Sequence, residues 1–137
     1  MLPTALSTLP KRILVVDDEE NYRALLQKVL TKEGYAVETA GGGEAALQAI
    51  RAERFDLVVL DLRMFPIDGL DVLERIQRES PETKAIVITA YPSPENKTRA
   101  YEKGADDYLI KPVDLQDLKH RVAHVLAGDT GEGAGLA

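Results

Sequence analysis

Asp17, Asp18, Asp61, Thr89 and Lys111 each stand where an apolar run stops: Ile13 to Val16 leads into the two aspartates, Leu57 to Leu60 into Asp61, Ala85 to Ile88 into Thr89, and Tyr108 to Ile110 into Lys111 and Pro112. In a parallel α/β sheet, residues at the carboxyl ends of the strands line one crevice, where such folds bind ligands. Carboxylates gathered there repel one another unless their pKa values rise and protons are shared, or a hard divalent cation binds. Mg²⁺ suits an oxygen-only set, since it sits about 2.0 to 2.1 Å from its ligands, keeps several waters and pairs with phosphate. No loop of regularly spaced oxygen ligands points to Ca²⁺ instead. Lys111 adds a fixed positive charge and Thr89 a hydroxyl, which together suit phosphoryl oxygens. Phosphoryl transfer asks mainly for positioning, an in-line nucleophile and charge neutralisation. Asp61 can be that nucleophile, because a carboxylate accepts a phosphoryl group to form an acyl phosphate. Singly, Asp and Thr at strand ends are ordinary turn and capping residues; five such residues together point to chemistry.

The elements that must position them alternate strand and helix. Short β-branched runs at 12–17, 36–40, 57–61, 85–89 and 107–111 are separated by helical patterns, which argues for a parallel sheet. In the first helix Tyr22, Leu25, Leu26, Val29 and Leu30 form one stripe, Glu19 and Glu20 occupy the first turn, and Gly34 follows its end. Two shorter helices are expected over 43–53, on Ala46, Leu47, Ala49 and Ile50, and over 70–79, on Leu70, Leu73 and Ile76. The helix over 94–103 starts well at Ser93 and Pro94, yet only Ala100 and Tyr101 give it apolar contact, so it is expected to be the least firmly anchored. The last helix has Asp114 as its N-cap and a stripe of Leu115, Leu118, Val122, Val125 and Leu126, ended by Gly128.

Length and composition narrow the function classes. The 137 residues, 45% hydrophobic, fit one domain with a real core. The expected division is a flexible leader over 1–10, the domain over 11–127 and a glycine-rich tail or linker over 128–137. The chain has no cysteine, so disulfides and thiolate metal sites are excluded and a cytoplasmic location is the simplest expectation. No run approaches the length of a membrane span, and the amino terminus lacks the pattern of a signal peptide. A net charge of −6 without a basic block argues against direct nucleic-acid binding.

Taken in order, Val15 to Glu19, Leu60-Asp61-Leu62 with Met64 and Asp68-Gly69 downstream, Ile88-Thr89-Ala90, Gly104 to Tyr108, and Lys111-Pro112 resemble the receiver domain of two-component response regulators over residues 12–126. The resemblance implies a doubly wound (βα)5 fold, flavodoxin-like, with a five-stranded parallel sheet in the order 2-1-3-4-5. It implies Asp61 as the phosphoacceptor, Mg²⁺ held by Asp17, Asp18, Asp61 and the Arg63 backbone carbonyl, and Thr89 and Lys111 on the phosphoryl group. It also implies a cis peptide between Lys111 and Pro112, a geometry nearly confined to proline. In the family the threonine and the aromatic here at Tyr108 act as a switch that remodels the face of the fourth helix, fifth strand and fifth helix. The partners so implied are a sensor histidine kinase or phosphotransfer protein, a downstream effector module or protein, and a phosphorylation-dependent homodimer. The domain is then a phosphorylation substrate and switch rather than an enzyme, although it assists its own phosphotransfer and dephosphorylation.

One position departs from the pattern: the family usually has proline four residues after the acceptor, whereas Phe65 stands here and Pro66 follows. The shift moves the fixed φ by one residue and favours an extended Phe65. Arg63 and Tyr91, each two residues past a site residue, lie at positions that tune the phosphoryl lifetime in the family, and both are expected to restrict the attacking water. Two other readings are a Mg²⁺-dependent phosphohydrolase and a degenerate receiver serving as a phosphorylation-independent scaffold. The first lacks its acid/base aspartate, with Arg63 in that place, and has no room for a cap; the second leaves the intact set of five unexplained.

Overall fold

The computed structural model describes residues 9–63 and 68–128. The Phe65 and Pro66 exchange, the expected leader except Leu9 and Pro10, and the expected tail beyond Gly128 lie outside them. Strand and helix alternate throughout as β1 (Arg12–Val16), α1 (Glu20–Lys32), β2 (Ala36–Ala40), α2 (Gly43–Ala52), β3 (Leu57–Asp61), α3 (Gly69–Glu79), β4 (Lys84–Thr89), α4 (Pro94–Glu102), β5 (Asp107–Ile110) and α5 (Leu115–Leu126). All strand pairings are parallel and the order is β2-β1-β3-β4-β5, the fold class that the resemblance implied.

The register aligns the strand tips. Val16 pairs with Leu60, which brings Asp17 alongside Asp61; Asp61 pairs with Ile88, and Thr89 with Ile110, one residue short of Lys111.

Side-chain alternation divides the core into two layers. Ile13, Val15, Leu57, Val59, Ile86, Ile88 and Leu109 pack with Leu26 and Leu30 of α1 and with Leu118, Val122 and Val125 of α5. Leu14, Val16, Val58, Leu60, Ala85, Val87 and Tyr108 pack on the other side with apolar residues of α2 and α3 and with Ala100 of α4. By the same alternation Asp17, Asp61 and Lys111 belong to the α1/α5 side of the sheet, and Thr89 and Tyr108 to the α2–α4 side.

The helices start as their sequences suggest. Asp68 Oδ1 accepts the Leu70 N–H at 2.9 Å, Ser93 Oγ accepts the Asn96 N–H at 3.0 Å, and Asp114 Oδ1 accepts the Asp117 N–H at 3.0 Å. The α1 stripe is narrower than expected: Leu26 and Leu30 are buried, Tyr22 and Val29 are half-buried, and Leu25 is 40% exposed because it falls at the stripe's solvent edge. In α4 only Ala100 is buried and Tyr101 is 42% exposed, so this helix has little apolar anchorage.

Gly69 has a specific reason to be glycine. A Cβ there would lie 2.6 Å from Leu62 Cα and 2.7 Å from the carbonyl oxygens of Asp61 and Leu62. The start of α3 therefore sits directly against the backbone that carries Asp61, with the Gly69 N–H donating to the Leu62 carbonyl at 3.0 Å. No helix among the described residues is long and apolar enough to cross a membrane.

Candidate functional site

Three strand-tip residues share one device. Asp17 Oδ1 accepts the Glu19 N–H at 2.9 Å, Asp61 Oδ1 the Arg63 N–H at 3.1 Å, and Thr89 Oγ1 the Tyr91 N–H at 3.1 Å. Each side chain thereby folds back the loop that follows its own strand, the usual local role of Asp and Thr. In both aspartates this occupies one oxygen only. The other oxygens meet Lys111, whose Nζ lies 2.8 Å from Asp17 Oδ2 and 3.2 Å from Asp61 Oδ2. The turn contact and the lysine contact are therefore divided between the two oxygens of a single carboxylate.

Asp17 and Asp61 are buried and Asp18 is exposed, and one carboxylate oxygen from each lies within 4.8 Å of the others. Burial pushes the Asp61 carboxyl above its ordinary pKa; the nearby Asp17 adds to this, while the Arg63 N–H and Lys111 act against it. Burial opposes the Lys111 ammonium, but Asp17 and Asp61 outweigh it and raise the lysine pKa. Lys111 thus offsets the negative charge of two carboxylates, and Asp18 keeps the cluster open to solvent. An oxygen-only donor set with an exposed member fits a hard, partly hydrated divalent cation.

Thr89 stands on the neighbouring tip. Thr89 is wholly buried, with its hydroxyl engaged by Tyr91. The Tyr91 carbonyl accepts from Asn96 Nδ2 at 3.2 Å, and Ser93 caps the Asn96 N–H, so the loop after Thr89 is tied to the first turn of α4. Tyr108 is buried beneath α4, and its hydroxyl has no hydrogen-bond partner among the described residues. The Lys111–Pro112 peptide is cis. At the mouth, the Arg63 guanidinium lies over the exposed Tyr91 ring, 4.3 Å from its centroid. The two residues expected to restrict water are therefore in contact with each other.

The structure gathers Asp17, Asp18, Asp61 and Lys111 into one cluster and puts Thr89 on the next strand, without a hydrogen bond to Asp61 among the described residues. Two neighbours of the cluster were not singled out by sequence reasoning. Arg23 Nη1 donates to the Asp17 carbonyl at 2.8 Å, and the Tyr22 ring lies 4.5 Å from Lys111 Nζ. The signal for Tyr22 was weak, because an aromatic on an apolar helical stripe reads first as core.

Residues 13–123 match the family model of the response regulator receiver domain. The transcriptional regulatory protein ZraR of Escherichia coli K12 is 41% identical over 115 residues, which are 84% of this chain and 26% of ZraR. The chain thus spans about a quarter of the length of that relative. Among solved structures, a CheY-like receiver domain protein from Methanospirillum hungatei is 34% identical with a TM-score of 0.85, over 88% of this chain and 96% of that one. A Burkholderia pseudomallei response regulator, solved with a phosphorylated aspartic acid, a calcium ion and citrate, is 30% identical with a TM-score of 0.77, over 87% of this chain and 72% of that one.

Proposed function

Because this chain belongs to the response regulator receiver domain family, we propose that Asp61 is its phosphoacceptor, that Asp17, Asp18, Asp61 and the Arg63 carbonyl hold Mg²⁺, and that a histidine kinase or phosphotransfer protein is the donor. The observation that carries the reading is the cluster in which Lys111 bridges one oxygen each of Asp17 and Asp61 while Asp18 completes the acidic set. Mg²⁺ when bound would neutralise charge on the carboxylates and on the phosphoryl oxygens. An oxygen of Asp61 attacks phosphorus, the phosphorus–nitrogen bond of phosphohistidine breaks, and the imidazole leaves and takes up a proton. Lys111 then shifts from the carboxylate to a phosphoryl oxygen.

The switch reading rests on connected contacts. Thr89 Oγ1 accepts from Tyr91 and donates to no group among the described residues, which leaves its O–H for a phosphoryl group, and its loop is fastened through Tyr91 and Asn96 to α4, the helix with a single buried residue. A small displacement of Thr89 therefore biases an element of low local stability. Tyr108, on the same side of the sheet, fills the space beneath that helix, and the face of α4, β5 and α5 is the surface whose contacts with an effector or a second copy change. The domain acts as a substrate and switch in the cytoplasm, and the longer relative is consistent with an effector module in the same chain.

Intact mass after incubation with a small acyl phosphate and Mg²⁺ tests the reading. One added phosphoryl group is expected, abolished by Asp61→Asn and by a chelator; no gain by wild type refutes it.

A further inference from the structure

We propose that Tyr22 is a positioning residue for Lys111, holding the ammonium by its ring face in the place from which it reaches the phosphoryl group; this rests on the function proposed above. The ring centroid is 4.5 Å from Nζ, and the lysine side chain is only 14% exposed. The ammonium donates to Asp61 and pairs with Asp17, and the ring supplies a further favourable surface. The tyrosine belongs to this corner by construction. It stands on α1, five residues past Asp17, on the same side of the sheet as Asp17, Asp61 and Lys111. Its hydroxyl lies beside the Val113 backbone yet is buried without a hydrogen bond of normal geometry among the described residues. The part of Tyr22 that meets Lys111 is the ring face.

A ring face is well suited to this task. The carboxylates that hold Lys111 must release it when Asp61 becomes an acyl phosphate and Asp17 turns to a cation. A lysine held only by them would then be free to rotate into water. An aromatic face attracts the ammonium over a broad range of positions and carries no net charge to compete with phosphate. Tyr22 therefore keeps Lys111 desolvated and near the site while its anionic partners change.

The test compares Tyr22→Leu and Tyr22→Phe with wild type. At saturating Mg²⁺ and small acyl phosphate, Tyr22→Leu should be phosphorylated about 5- to 30-fold more slowly, the range expected for a desolvated cation–π contact. Its Mg²⁺ affinity, measured by calorimetry without donor, should not fall, and Tyr22→Phe should restore the rate. A wild-type rate in Tyr22→Leu, a Phe variant as slow as Leu, or a matching loss of Mg²⁺ affinity would each overturn the proposal, the last by showing general damage to the site. The contact itself is read by NMR: the Lys111 ε-methylene protons should be shifted upfield in wild type and Tyr22→Phe, and not in Tyr22→Leu. If wild type takes up no phosphoryl group, the functional reading fails instead, and the NMR result still decides whether the ring holds the lysine.

Discussion

Replacing Gly69 by alanine should damage both stability and phosphorylation through one added carbon atom. The new Cβ would sit 2.6 Å from Leu62 Cα and 2.7 Å from the Asp61 and Leu62 carbonyl oxygens. Ordinary contacts would need the start of α3 to retreat by about 0.7 to 1 Å or more, and the opposing atoms are backbone that cannot rotate away. Overpacking of this kind costs about 1 to 3 kcal/mol, against which the better helix propensity of alanine returns at most about 1 kcal/mol. The net loss of up to about 2 kcal/mol corresponds to a fall in Tm of up to about 8 °C for a domain of this size. Because the displaced backbone carries Asp61, a shift of about 1 Å should also slow uptake from a small acyl phosphate by about tenfold or more. Gly42→Ala is the control: φ is −177°, an extended conformation open to any residue, and nothing lies within 4 Å of its Cβ. Thermal unfolding of both variants, followed by circular dichroism, and phosphorylation followed by intact mass, give the comparison. A Gly69→Ala protein that matches Gly42→Ala in Tm and in rate would refute the steric account.

Two further perturbations test the electrostatics. Because the native state raises the Asp61 pKa, ionising this carboxyl costs stability above its ordinary value; in metal-free buffer Asp61→Asn should unfold at higher temperature than wild type at pH 7. That advantage should shrink as pH falls through the raised pKa and vanish below about 3.9, where both proteins are neutral at this position. Arg63→Ala and Tyr91→Ala should each speed phosphate loss from the phosphorylated protein, and their contact predicts that the effects are not additive. A double variant whose acceleration is the product of the two single effects would show that they guard the bond separately.

The alternating strands and helices and the candidate residues at the strand ends were legible in the sequence because each rests on a local pattern, whereas the strand order that brings those residues together was implied only by the family resemblance. The apolar run ahead of Asp17, the run ahead of Asp61 and the Ser93–Pro94 start need no knowledge of distant residues, and the strands and helices fall within a residue or two of their expected ends. What stayed hidden is tertiary. Nothing in the spacing says that Arg63 and Tyr91 stack, that Tyr22 faces Lys111 rather than the apolar interior alone, or that Leu25 lies outside the stripe its spacing continues. The two views of Asp17 and Asp61, as turn formers or as chemical groups, were set against each other by sequence. The carboxylate geometry reconciles them, with Oδ1 serving the loop and Oδ2 serving the lysine.

The two-layer core makes the sheet a bulkhead. Asp17, Asp61, Lys111 and Tyr22 occupy one compartment, and Thr89, Tyr108 and α4 occupy the other, with apolar side chains filling the space on both sides of the central strands. Among the described residues the two compartments meet at the rim, where the Asp61 and Thr89 tips adjoin and the Lys111 N–H meets the Thr89 carbonyl at 2.8 Å, and where Gly69 of α3 abuts the Asp61 and Leu62 backbone. The solvent faces of the helices on either side are therefore expected to tolerate change independently of each other, whereas Tyr22 of α1 and Gly69 of α3, which touch the rim, are not.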